Sequence, residues 1–108
     1  MSDHPLSIAF VWHMHQPYYK DDLSGSTILP WVRMHGIKDY YDMPALLNDF
    51  PAIHQTFNLV PSLLKQIEDY VQNSVRDRFL DLALKPAVEL DNDDKIFLLK
   101  NSFMANWD

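Results

Sequence analysis

Leu6 to Trp12 reads Leu-Ser-Ile-Ala-Phe-Val-Trp, with six apolar residues in seven. A run this apolar does not alternate between core and water, so it predicts a strand buried on both faces. Such strands occur in parallel sheets whose crossover helices cover both sides. The run stops at His13. From Gln16 to Pro30 the chain carries Pro17, Asp21, Asp22, Ser24, Gly25, Ser26 and Pro30, which predicts a loop. A loop of about fifteen residues is long enough to suspect a function.

The rest alternates between helix and strand signals. Ile37, Tyr40, Tyr41, Leu46, Leu47 and Phe50 recur at helical spacing and predict a helix over His35–Phe50, in two pieces meeting at Pro44. Ile53–Val60 reads as a second strand, with Thr56, Phe57 and Val60 favouring extended backbone. Pro61 suits the first turn of a helix with Leu63, Leu64, Ile67, Tyr70 and Val71 on one face. Another helix is expected over Val75–Leu84, closed by Pro86. Asp91-Asn92-Asp93-Asp94 supplies acceptors and negative charge for the start of a last helix. Its inner stripe is expected to be Ile96, Leu99, Phe103 and Trp107, widened by Phe97 and Met104.

This order predicts an α/β fold with parallel strands joined by right-handed crossovers, and no internal repeat is present. Two strands make a poor independent sheet, and the last helix reaches Asp108 without Gly, Pro or a basic final turn. Both observations lead us to expect an incomplete chain. At 108 residues it holds one domain at most. A net charge of −6 argues against nucleic acid as partner, because phosphate binding needs clustered Lys and Arg. Without cysteine there is no disulfide scaffold, thiolate zinc site or Cys nucleophile. The N-terminus has no basic targeting region, and no apolar run approaches the ~20 residues that span a bilayer. The expectation is a soluble, cytoplasmic chain.

His13-Met14-His15 follows the first strand, where ligand sites form in open α/β sheets and (β/α) barrels. Alternation puts both imidazoles on one face, about 6.5 Å apart at Cα. Two rings there can bind a metal, orient a hydroxyl or exchange a proton; equally, one ring can bond the interior while the other meets solvent. Gln16-Pro17-Tyr18-Tyr19 adds an amide, a rigid turn and two rings. Pro30-Trp31-Val32-Arg33-Met34-His35-Gly36 combines an indole, a guanidinium and another imidazole. Aromatic residues make up 13% of the chain, and Trp12, Tyr18, Tyr19, Trp31, Tyr40 and Tyr41 sit beside polar neighbours. Flat rings beside planar polar groups are what a carbohydrate site requires, although the same rings also serve as ordinary core residues. Asn58, late in the second strand, either faces the site or bonds a nearby backbone group.

These residues carry a family resemblance. His13-Met14-His15-Gln16-Pro17-Tyr18 resembles the first motif of glycoside hydrolase family 57. Leu29 to Met43 is similar to the segment that follows in its amylase and amylopullulanase-like members. Thr56 to Leu64 resembles their second strand and helix, and Lys95 to Trp107 a later helix. Four segments in register are far more specific than any one of them. The resemblance implies that residues 1–108 are an N-terminal fragment of the catalytic domain, holding the first two β/α units of a (β/α)7 barrel with extra helices after the second strand. It implies a retaining hydrolase or transglycosylase of α-glucans such as starch, glycogen or maltooligosaccharides, with no cofactor.

Retaining enzymes use two carboxyl groups about 5–5.5 Å apart. The resemblance places the nucleophile Glu and the acid/base Asp beyond residue 108, so no residue here takes either role and the fragment alone is expected to be inactive. It carries over His13 and His15 as active-site wall beside the cleaved bond, with Gln16 adjacent. Trp31, Arg33 and His35 are subsite candidates from the expected position of their segment over the barrel mouth. Glu68, Glu89 and Asp91–Asp94 read as solvated faces and helix caps.

Two other readings compete. One is a non-catalytic carbohydrate-binding module that uses the aromatic loop. The other is a metal-dependent hydrolase barrel, since His-x-His after a first strand also opens such sites; only His4, His35 and His54 remain as further imidazoles. A two-strand fragment would leave edges and helix faces uncovered, so the isolated chain is expected to self-associate.

Overall fold

The computed structural model describes residues 4–73 and 75–104. Their order is β1 (Val11–Met14), α1 (Trp31–Gly36), α2 (Asp39–Leu46), β2 (Thr56–Leu59), α3 (Pro61–Gln72), α4 (Arg78–Leu84), a 3-10 turn (Ala87–Glu89) and α5 (Asn92–Asn101). β1 and β2 pair in parallel, Val11 opposite Thr56, Trp12 opposite Phe57, His13 opposite Asn58 and Met14 opposite Leu59. Thr56 N–H to Phe10 O at 3.1 Å and Val60 N–H to Met14 O at 3.2 Å extend the ladder at both ends. Helices and a parallel strand pair together make an α/β arrangement.

Strand β1 starts later than the apolar run suggests, and it includes His13. It is not buried on both faces: Met14 is buried, whereas Phe10 and Val11 are exposed. The reason is that the helices cover one face of the pair. Met14, Val32 of α1 and Leu63 of α3 form the centre of the core, with Tyr19, Tyr40, Met43, Phe57, Val60, Ile67 and Tyr70 packed around them. β2 is likewise shorter than expected, because the chain before it turns, with Ile53 N–H bonded to Phe50 O.

The first helical segment begins at Trp31 rather than His35, and it breaks at Ile37–Lys38 rather than at Pro44. Lys38 leaves helical geometry at φ −133° and ψ −57°. Pro44 lies inside α2. It offers no N–H to the Tyr40 carbonyl four residues back, and beyond it the chain closes the helix in three-residue bonds: Leu47 N–H to Pro44 O, Asn48 N–H to Ala45 O, Asp49 N–H to Leu46 O. Helix α3 begins at Pro61 as expected, but Leu64 and Val71 are exposed, while Gln66 and Asp69 are buried. α4 starts at Arg78 rather than Val75, because the Asp77 carboxylate caps it by accepting from Leu80 N–H at 2.9 Å.

Asp91 caps α5, accepting from Asp94 N–H at 2.8 Å. The expected inner stripe fails: Ile96, Leu99 and Phe103 are exposed. α5 packs on α4, so the residues that turn inward are those facing it; the Phe97 ring meets Phe79 edge-on at 5.0 Å, with the Arg78 guanidinium 4.2 Å from its centre. Trp107 lies outside the described residues. The helix ends at Asn101 instead of running on to Asp108, with Ser102 N–H bonded to Leu98 O.

The long loop has internal structure. Lys20 and Thr27 bridge in antiparallel fashion, and Thr27 also bridges Asp77. Asp21 accepts from Leu23 and Ser24 amides at 3.2 Å each and from the Ser24 hydroxyl at 2.5 Å. Gly25 takes φ +70° at the tip, where a side chain would be strained.

Candidate functional site

Strand alternation sets the site. Trp12 and Met14 point to the helix-covered side of the pair, so Val11 and His13 point to the other. The parallel register puts Asn58 opposite His13 on that open face. His15 follows one residue beyond β1, and its ring stacks on that of His13, 5.6 Å between centres and 22° from parallel. His13, His15 and Asn58 are all exposed. Two imidazoles and an amide thus share one open surface at the carboxyl end of the strands.

A polar network fixes the chain just after His15. The Tyr40 hydroxyl donates to His15 O at 3.3 Å and accepts from Gln16 Nε2 at 2.8 Å. The Tyr19 hydroxyl donates to Gln16 Oε1 at 2.9 Å. Burial first, then the neighbouring Tyr40, push the Tyr19 hydroxyl above its ordinary pKa, so it stays a donor. Ser62 Oγ–H donates to Gln16 O at 2.9 Å. The Gln16 side chain is therefore held at both ends by tyrosines, with its own backbone tied to α3.

Trp31 and His35 lie four residues apart on one face of α1, ring centres 6.4 Å apart. His35 is 6.1 Å from the Tyr40 ring and pairs through Nδ1 with Asp39. Tyr40 thereby joins Trp31 and His35 to Gln16 and His15. Arg33 is not part of this group. It projects from the other side of α1 and forms a two-pronged pair with Asp77, Nε to Oδ2 at 2.7 Å and Nη2 to Oδ1 at 3.2 Å. Asp77 also accepts from Tyr70 Oη–H at 3.1 Å. Burial pushes the Asp77 carboxyl up, but Arg33, the Leu80 amide and Tyr70 outweigh it and hold the pKa below the ordinary carboxylate range.

Gln66 was missed as a site-forming residue by sequence reasoning, and Tyr40 was singled out only as a ring beside polar neighbours. Gln66 is buried in α3, accepts from Tyr19 N–H and donates to Pro17 O and Ser62 O, each at 2.8 Å. The available signal was an amide standing within the inward spacing Leu63, Ile67, Tyr70. A cavity of about 400 Å³ between α1, α4 and α5 has Trp31, Met34, Phe79, Leu98 and Met104 on its walls. It is apolar and meets the ring group through Trp31.

Imidazole and amide groups on an open face can donate to and accept from sugar hydroxyls, and ring faces can stack on pyranoses. Among the described residues no three of His, Cys, Asp or Glu converge into a set able to hold a metal ion. Nor, among them, is any helix long and apolar enough to cross a membrane. The buried carboxylates have partners: Asp69 binds Lys65, Lys20 and Asn73, Asp77 binds Arg33, and Asp94 binds Lys85. Residues 9–104 match the family model described as Glycosyl hydrolase family 57. No curated protein and no solved structure matches the chain.

Proposed function

The chain belongs to glycosyl hydrolase family 57, and from that footing we propose that it forms the opening units of the catalytic barrel of a retaining hydrolase or transglycosylase acting on α-glucans. His13 and His15 line the sugar site beside the bond to be cleaved, and Asn58 extends the same wall. Support comes above all from the shared open face of these three side chains at the carboxyl ends of two parallel strands. In a barrel that face looks inward, toward the substrate. Gln16, held between Tyr19 and Tyr40, shapes the rim, while Trp31 and His35 offer rings further along it. Arg33 reaches a sugar only if it gives up Asp77.

Glycoside cleavage with retention needs a nucleophile and an acid/base carboxyl group. In this reading both come from outside residues 1–108, and the chain alone is inactive. Its buried carboxylates are already engaged by basic partners, which fits that division. The cysteine-free sequence fits work in a reducing cytoplasm. The exposed apolar surface supports self-association of the isolated chain.

Two measurements test the reading. Maltooligosaccharide titrations followed by NMR should shift the imidazole signals of His13 and His15, and His13→Ala with His15→Ala should abolish the response. Release of reducing ends from starch by the 108-residue chain should stay at background. Hydrolysis that disappears in the double variant would show that the chain is active on its own. Binding lost on Trp31→Ala but kept without His13 and His15 would favour a binding module.

A further inference from the structure

We propose that Gln66 is a positioning residue for the candidate sugar site, acting on His15 through the loop that follows it. The inference rests on the glucan-binding reading above and adds the device that holds the binding group in place. Gln66 sits on α3, 4% exposed, and every polar atom of its side chain is used. Its Oε1 accepts from Tyr19 N–H, and its Nε2 donates to Pro17 O and Ser62 O, all at 2.8 Å. One buried amide thus splints an irregular segment to a helix, across 47 residues of sequence for Tyr19 and 49 for Pro17.

The splint reaches the site through a continuous series of bonds. With its backbone fixed by Gln66, Tyr19 directs its hydroxyl to Gln16 Oε1. Gln16 Nε2 in turn donates to Tyr40 Oη, and Tyr40 Oη–H donates to His15 O. His15 lies outside the strand ladder, so these contacts set its backbone and the stacking of its ring on His13. A loop ordered in advance loses less entropy when a ligand arrives, which strengthens binding without a new contact. Gln is the suitable residue because the position needs one acceptor and two donors at once; Glu lacks the donors and Met lacks all three.

The test uses the protein carrying these residues, with Gln66→Met, Gln66→Glu and Tyr19→Phe. NMR reads the His13 and His15 ring signals without sugar, and maltoheptaose titration reads affinity. Gln66→Met should shift both ring signals and weaken maltoheptaose roughly tenfold, the size of one oriented hydrogen bond. Tyr19→Phe removes only the hydroxyl that links Tyr19 to Gln16, so it should give the same shifts with the core intact even if Gln66→Met folds badly. In Gln66→Glu, burial raises the carboxyl pKa, and protonation restores a donor. The difference from wild type, read at the same pH, should therefore shrink as pH falls from about 8 to about 5. Ring signals in Tyr19→Phe that match wild type at the same pH, with a Gln66→Glu difference that stays constant across that range, would overturn the proposal. A wild-type protein that shows the shifts on mutation yet ignores maltoheptaose would instead overturn the glucan reading and leave the positioning role standing.

Discussion

Asp77 has no exposed surface, yet it carries a charge that Arg33, Tyr70 and the Leu80 amide share. Through it α1, α3 and α4 meet at one carboxylate, while Thr27 of the long loop bridges its backbone. Asp77→Asn should destabilise the fold by roughly 2–4 kcal/mol, the upper range for a buried pair being reduced because Arg33 keeps contact with water. The pH dependence follows from the lowered pKa of Asp77 in the folded state. A carboxyl group shifted down stabilises the fold fully above its unfolded pKa of about 3.9, and that contribution is lost as pH falls through the folded value. Urea melts should therefore separate wild type from Asp77→Asn most at neutral pH and least in acid. Equal separation at all pH values would mean that the charge is not what matters. Sequence made the His13–His15 pair legible because alternation over two residues is local. It hid the fate of Arg33, because its partner lies 44 residues away and no local pattern announces it.

At the level of elements, the starts of α3 and α5 were readable, whereas the Asp77 cap and most other boundaries were not. Asp91 and Pro61 start their helices where their chemistry requires. Pro44 misled, since a proline costs a helix the one bond to the carbonyl four residues back, and α2 runs only as far as Leu46 beyond it, so no second helical piece starts there. Pro44→Ala gives residue 44 an N–H for the Tyr40 carbonyl. It should raise helix content in far-UV circular dichroism and add roughly 1 kcal/mol, net of the entropy that alanine returns to the unfolded chain. No gain would mean that water already satisfies the Tyr40 carbonyl. Burial within elements depends on what packs against them, which explains why the stripe of α5 was misread: hydrophobic spacing marks a face, while the identity of the covering layer is a tertiary fact. Leu63 of α3, fully buried between β1 and α1, is the converse case. Leu63→Ala should cost about 2–5 kcal/mol in urea melts, and a smaller loss would show that the three-residue core collapses onto the gap.

The molecule as a whole exposes more than its mass warrants. Its accessible surface is 8560 Å², whereas a compact protein of this mass exposes about 6,200 Å². Its radius of gyration is 19.3 Å, against about 13 Å for a compact chain of 100 residues. The excess of roughly 2,300 Å² is well above the ~800 Å² that one partner contributes to a standard interface. Much of it is apolar: Leu6, Ile8, Phe10 and Val11 lead into and along β1, and all are exposed. Open strand edges beside apolar surface associate with whatever offers the same pattern, and in a pure sample the available partner is another copy. Sedimentation of the 108-residue chain should then show mass rising with concentration. Val11→Lys, which sets a charge in the middle of the open face, should shift the distribution toward monomer. A monomer at every concentration, with an unchanged profile in Val11→Lys, would mean that the open face is stable in water. The histidine wall would then stand as a surface that a sugar can reach without a surrounding barrel, and the binding-module reading would gain over the enzymatic one.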